Sequence, residues 1–385
     1  MTNTNPSLDA IDMWHRAVLQ GENWTGELPA QLRREVPPMA SWIVRGGCAV
    51  QCQHCIFPVE GPKAFAPQIS EEVILSLLAQ LSGHGTLVHE GRQLLDWQIP
   101  ILAAAKRKGH SVAVINNGQY ATPAMLALCE REGLRLDALD VSIDGPERIH
   151  NQQRNEFGTR KNVPAWAWAM NGLAEGRRIA DKLTSLFTLT SLTSEHVAET
   201  GKIAGDLVDE WHLSPMTVRP GIEHMAPSEA QMAEALNQLA GLRLENTEIF
   251  LRSYSLAGFI ALAQAIGVET VRKALPKALV TYNGIVLDVG FTKLHFYPKS
   301  LQCNETLVVD ADHWWRLPFS VAHTLGQLKA GVSAEGEDLT HFSIAPLSDK
   351  LDVAEVYARS VETWWKAVGL KSFNEERDAV GRLLG

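Results

Sequence analysis

The chain has 385 residues, 45% of them hydrophobic and 21% charged, with a formal net charge of -9. That length and apolar content suffice to bury a full core, so disorder is excluded as the default and one barrel-sized domain with attachments is expected. The acidic balance disfavours a broad nucleic-acid surface, which needs clustered Lys and Arg; the pair Arg177-Arg178 is short and flanked by Glu175 and Asp181.

From the N-terminus, the polar opening Met1-Thr2-Asn3-Thr4-Asn5-Pro6 lacks the charged-then-apolar layout of a secretion signal. No later stretch approaches the roughly 18 apolar residues of a membrane span, so a cytoplasmic location is expected. Ser7 to Leu19 reads as one amphipathic helix with Ser7 as N-cap, and a Pro-rich connector follows through Pro37 and Pro38. Residues 1–37 are therefore expected to form a short helical extension.

The next segment, Trp42-Ile43-Val44-Arg45-Gly46-Gly47-Cys48-Ala49-Val50-Gln51-Cys52-Gln53-His54-Cys55, begins as a short apolar strand, breaks at two glycines and then delivers three thiols. Five cysteines in a cytosolic chain do not make a disulfide framework, and three within eight residues point to a metal. The spacing C-x3-C-x2-C cannot complete a four-coordinate zinc site alone, and no second C-x2-C or H-x3-H follows it. A fourth ligand must come from elsewhere. A cubane cluster held at three irons leaves one iron open to a small molecule. Spacing alone still leaves a zinc knuckle of Cys48, Cys52, Cys55 and His54 open, although its adjacent ligands give poor geometry.

Downstream the periodicity predicts alternating strands and helices. The strands fall near 40–46, 85–89, 111–116, 138–144, 184–190 and 214–219, and the helices over 69–81, 94–108, 123–132, 163–180 and 197–209. Near-continuous apolar runs such as Ser111-Val112-Ala113-Val114-Ile115 indicate a parallel sheet covered by helices, and six such repeats give an α/β partial (β/α)6 TIM-like barrel over residues 38–225. A helical stretch is expected at about 228–277. The segments Asn283 to Val289, Thr292 to Tyr297 and Thr306 to Val309 are expected to form a small antiparallel meander, with a last helix from Val353 to Val368 packing on the barrel. Residues 226–385 would thus cap the substrate end.

In parallel barrels the strand C-termini and the loops after them carry the chemistry. Here those positions hold Val88-His89-Glu90-Gly91, Ile115-Asn116-Asn117-Gly118 and Val141-Ser142-Ile143-Asp144-Gly145-Pro146. Singly these are ordinary turn sequences. Together, behind the cysteine run, they resemble the radical S-adenosylmethionine (radical SAM) superfamily in the order of its Gly-Gly-Glu, Thr-Asn-Gly and Ser-Leu-Asp-Gly-Pro segments. The continuation from Asp144 through Arg148, His150 and Asn151 to Arg154 is the most specific part, and the resemblance covers roughly residues 38 to 225.

That resemblance implies an enzyme with a [4Fe-4S] cluster on Cys48, Cys52 and Cys55. The cluster binds S-adenosylmethionine at its open iron and cleaves it to a 5'-deoxyadenosyl radical that takes hydrogen from a small organic substrate. It further implies that Glu90 takes the methionine amino group, that Ser142 and Asp144 meet methionine or ribose polar groups, that Arg154 meets the methionine carboxylate, and that Asn117 bonds the same ligand. Val88-His89 departs from the Gly-Gly pattern, and an alternative alignment would put Arg92 at the acidic position. Arg219, in Val218-Arg219-Pro220-Gly221, would line the adenine or serve the substrate. A flavodoxin or ferredoxin is implied as electron donor.

Of the remaining cysteines, Cys303 is a candidate hydrogen donor to a substrate radical or a half-buried turn residue, and Cys129 reads as core packing. Tyr282, His295, Tyr297 and His313 are candidate substrate contacts. Maturation of a ribosomal peptide, tRNA modification and a non-catalytic zinc-binding interaction module are the alternative readings, with a membrane role excluded and nucleic acid disfavoured by charge.

Overall fold

A computed structural model describes residues 39–44, 50–52, 54–55, 86–90, 94–156, 165–216, 222–253, 262–274, 277, 279–281, 284–296, 305–310 and 313–318. Within them, β1 (Met39–Val44), β2 (Val50–Cys52) and β3 (Thr86–Glu90) precede α1 (Ile99–Arg107), β4 (Ser111–Asn116), α2 (Pro123–Glu132) and β5 (Leu136–Ser142). Then come α3 (Glu147–Gln153), β6 (Arg154–Glu156), α4 (Ala165–Gly176), β7 (Ala180–Leu189), α5 (Val197–Ala204), β8 (Glu210–Pro215), α6 (Glu229–Gly241), β9 (Glu248–Ser253) and α7 (Val268–Ala274). Five further strands close the described chain: β10 (Leu279–Thr281), β11 (Gly284–Asp288), β12 (Lys293–Phe296), β13 (Glu305–Asp310) and β14 (His313–Pro318).

Local chemistry sets the helix ends. Thr122 caps α2 by accepting from the Met125 amide at 3.3 Å, Pro123 opens the helix with its φ already fixed, and Gly133 ends it in the left-handed region at φ 66°. Ser228 and Gln231 form a reciprocal capping box at the start of α6.

Seven strands in the order β9-β8-β7-β5-β4-β3-β1 pair in parallel, and from β3 onward each is reached from the last by a helical crossover. One face of this sheet carries Leu87, Val112, Val114, Leu139, Val141, Leu183, Phe187, Trp211 and Leu213, packed with helix residues such as Leu102, Leu126, Leu173, Val197 and Leu236 into one buried cluster. The alternate residues line the opposite, inner face. The sheet does not close on itself, and the result is a partial TIM-like barrel.

The six expected strands are all present, shifted by up to four residues at β8. The expected helical stretch at 228–277 is corrected: it holds α6 and α7, but Glu248–Ser253 between them is a seventh parallel strand. Its side chains alternate exposed or half-buried with buried along all six residues, the pattern of a covered strand rather than a helix. The expected meander is also corrected. β11 and β12 do form an antiparallel hairpin, and β12 runs parallel to β9. Thr306 to Val309, however, belongs to β13, which pairs in parallel with β1 at the far end of the sheet and in antiparallel with β14. The expected helices at Ser7 to Leu19, 69–81 and Val353 to Val368 lie outside the described residues.

Candidate cofactor site

The end of β5 and the short ribbon β2–β6 build the site. Ser142 is the last residue of β5, in register with Leu186 of β7, and the chain then turns through Asp144-Gly145-Pro146 into α3. Gly145 sits at φ 142°, and a Cβ there would lie 2.7 Å from Ile149 Cγ2, so only glycine lets the turn close on α3.

Asp144 emerges from this turn fully buried. Its Oδ1 accepts from the Thr188 amide at 2.9 Å, and its Oδ2 accepts from Arg154 Nε. The Asp144 amide in turn donates to His150 Nδ1 at 3.1 Å, which fixes the tautomer of that ring with its proton on Nε2. Burial alone would raise the Asp144 carboxyl, but Arg154 and then His54, whose Nε2 lies 3.7 Å from Oδ2, outweigh it and hold the group well below the usual carboxylate range. Burial and then Arg154 push His150 down to about 3, so it is neutral.

Arg154 links this acid to the cysteine loop. β6 pairs in antiparallel with β2, with Cys52 directly across from Arg154, and Arg154 Nη1 donates to Cys52 Sγ at 3.6 Å. Cys52 and Cys55 are half-buried, and the Cys55 amide donates to the Cys52 carbonyl at 3.1 Å. A guanidinium cannot deprotonate in a protein, so it supplies a permanent cation beside a thiolate ligand. Cys48 lies outside the described residues, and among those residues no three His, Cys, Asp or Glu side chains gather as a metal site. The donor chemistry of Cys52, Cys55 and the adjoining Arg154 nevertheless suits an anionic thiolate-ligated cluster.

The other strand ends are partly turned inward on the protein. Asn116 Oδ1 accepts from the Gly118 amide at 2.5 Å and Asn117 Oδ1 from the Gln119 amide at 3.0 Å, so both shape the loop after β4. Glu90 is the last residue of β3, in backbone register with Ile43 and Ile115. The preceding His89 explains the departure from Gly-Gly: it is fully buried, bonds Gln98 Oε1 through Nε2 at 3.0 Å, and ties β3 to the start of α1. Burial keeps it neutral, down to about 4.

Cys129 is fully buried in the core cluster as expected, and burial raises its thiol to about 11. Arg92, Arg219, Tyr282, Tyr297 and Cys303 lie outside the described residues. His313 opens β14, in register with Asp310 of β13. His295 lies on β12, beside Arg252 of β9. Arg252 was hidden from sequence reasoning by the helical reading of 228–277; the alternation of Glu248-Ile249-Phe250-Leu251-Arg252-Ser253 is the signal that identifies it.

No family model and no curated protein matches the chain. Among solved structures, a hexahistidine-tagged anSMEcpe with bound AdoMet is 13% identical, with 89% of this chain and 100% of that chain covered at a TM-score of 0.47. Streptococcus suis SuiB is 11% identical over 85% of this chain and 68% of its own, with a TM-score of 0.48. The same protein bound to its precursor peptide SuiA matches at 10% identity over 61% of this chain and 54% of its own, with a TM-score of 0.44. No described helix is long and apolar enough to cross a membrane.

Proposed function

We propose that the chain is a radical SAM enzyme acting on a small organic substrate, with Cys48, Cys52 and Cys55 as ligands of a [4Fe-4S] cluster. The observation that carries this reading is the convergence of two segments about a hundred residues apart: the cysteine loop and the Asp-Gly-Pro…Arg segment meet through the Cys52–Arg154 pair on the β2–β6 ribbon. A zinc knuckle gives no reason for that meeting.

When bound, the cluster and S-adenosylmethionine together supply a 5'-deoxyadenosyl radical, using an electron from a donor of the flavodoxin or ferredoxin type. The protein's part is positioning and exclusion. Asp144 holds Arg154 in one orientation, and Arg154 offers its remaining N–H groups to a carboxylate such as that of methionine. Glu90, Asn117 and Ser142 stand at the ends of neighbouring strands, where polar contacts to the amino group and ribose are needed. The buried helix-packed face keeps those strand ends rigid.

Anaerobic reconstitution with iron and sulfide tests this. A brown protein that releases 5'-deoxyadenosine from S-adenosylmethionine on reduction is expected, with both properties lost when Cys48, Cys52 and Cys55 are all replaced by Ala. A colourless zinc protein, or iron binding that survives the triple replacement, overturns the assignment.

A further inference from the structure

Most charges on the inner face between β7 and β12 are paired. Lys182 Nζ lies 2.5 Å from Glu210 Oε1, Glu210 Oε2 lies 2.8 Å from His212 Nε2, and Lys293 Nζ lies 2.7 Å from Glu248 Oε2. Arg252 is the exception. Among the described residues its guanidinium makes no hydrogen bond or ion pair, and its Nε is buried. It stands on β9 directly beside His295 of β12 and two residues beyond Phe250, whose ring meets that of His212 edge-on at 4.9 Å. Asp140 of β5 feels the Arg252 charge across the sheet, but burial dominates there and raises its carboxyl to about 6.

His212 is 4% exposed, and with Nε2 committed to Glu210 its Nδ1 is buried and has no partner among the described residues. The contact with ionised Glu210 places the imidazole proton on Nε2, which leaves Nδ1 as an acceptor. Burial, then Arg252, push His212 down to about 3, and the same two causes bring His295 to about 3. The flanking imidazoles are therefore neutral, and Arg252 supplies one positive charge. A half-buried guanidinium whose Nε is shut off from water, with no ion-pair partner among the described residues, is costly, and its planar fork matches one carboxylate in size, charge and geometry. A phosphate dianion would call for more than one free cation.

We propose that Arg252 is the anchor for a carboxylate group of the substrate, and that His212 Nδ1 accepts a hydrogen bond from an N–H or O–H beside that carboxylate. The substrate class is then a 2-amino or 2-hydroxy carboxylic acid, or a larger molecule ending in one. This assignment rests on the radical enzyme reading above, because it places the group on the inner face of the barrel whose strand ends hold the cofactor.

Ligand-observed NMR on the full, reconstituted chain tests it, with L-alanine and L-lactate as probes and inorganic phosphate as competitor. Saturable binding of at least one probe is expected, weakened tenfold or more in Arg252→Gln and less in Arg252→Lys, with phosphate displacing neither. The absence of saturable binding to the unaltered protein, equal binding by Arg252→Gln, or displacement by phosphate at lower concentration than the probes overturns the proposal. The unaltered-protein arm stands whether or not a variant folds. Release of 5'-deoxyadenosine by the unaltered protein is read separately, so failure of the radical reading and failure of the carboxylate anchor are distinguishable.

Discussion

Asp144 and Arg154 are each buried and are bonded to one another, so neither can be removed without stranding the other. Asp144→Ala would leave the Arg154 cation in a desolvated site without its carboxylate partner, and a loss of about 3–5 kcal/mol is expected. Asp144→Asn keeps an acceptor for the Thr188 amide and should cost less. Urea unfolding of the cofactor-free chain measures both, and an Asp144→Ala loss below about 1 kcal/mol would show that the pair does not form. At this scale the sequence identified both residues as site candidates through their place in a motif. Their pairing was not legible, because it depends on β2 lying against β6, a contact between positions far apart in the chain. Arg252 was illegible for a different reason: a six-residue strand between two helices offers too short a period to outweigh its surroundings.

At the scale of elements, the turn after β4 and helix α4 touch through two glycines. A Cβ on Gly172 would lie 2.6 Å from Gly118 Cα, and one on Gly118, at φ 84°, would lie 2.7 Å from Ala169 Cα. Gly133 has a similarly positive φ of 66° but no atom within 4 Å of such a Cβ. Gly133→Ala should therefore cost about 1–2 kcal/mol, the backbone penalty alone. Gly118→Ala adds displacement of α4 and should cost roughly 2–4 kcal/mol. Thermal unfolding of the two variants side by side checks the difference, and equal losses would remove the role assigned to close packing. Asn-Gly at 117–118 was legible as a turn. That the glycine also admits a helix backbone was not, since the partner glycine lies more than fifty residues away.

For the molecule as a whole, buried imidazoles govern the response to acid. His89 stays neutral in the fold down to about 4, and His150, His212 and His295 each down to about 3, whereas the unfolded chain protonates each near the ordinary 6.5. The unfolded state thus takes up more protons as pH falls below 6.5, and stability falls with it. Glu210, burial opposed and outweighed by its bonds to His212 and Lys182, is held at about 2 and adds a further loss below its ordinary 4.5. Asp140 works the other way. Burial raises it to about 6, so the fold gains protons there between 6 and 3.8. Four imidazoles outweigh one carboxyl, and stability should drop steadily from pH 7 to pH 5, by an amount on the order of a few kcal/mol, read as a falling unfolding midpoint. A flat profile over that range would mean that these rings are open to water. The apolar strand runs made the parallel sheet legible, and the strands at 284–288, 293–296 and 305–310 with it, but the sheet edges those late strands join were not, because that is decided by where the chain can reach.

The position of β1 inside the sheet has a practical outcome. It carries the cysteine loop and is hydrogen-bonded on one side by β3 and on the other by β13 from the last third of the chain, while β8 is likewise flanked by β9. A shortened protein spanning residues 38–225 would keep Cys48, Cys52, Cys55, Glu90, Asn117, Ser142, Asp144 and Arg154, yet it would present two raw strand borders of unpaired amides and carbonyls. Such a truncation is expected to precipitate or associate edge to edge, and recovery of soluble monomer from it would show that the outer strands are dispensable trim.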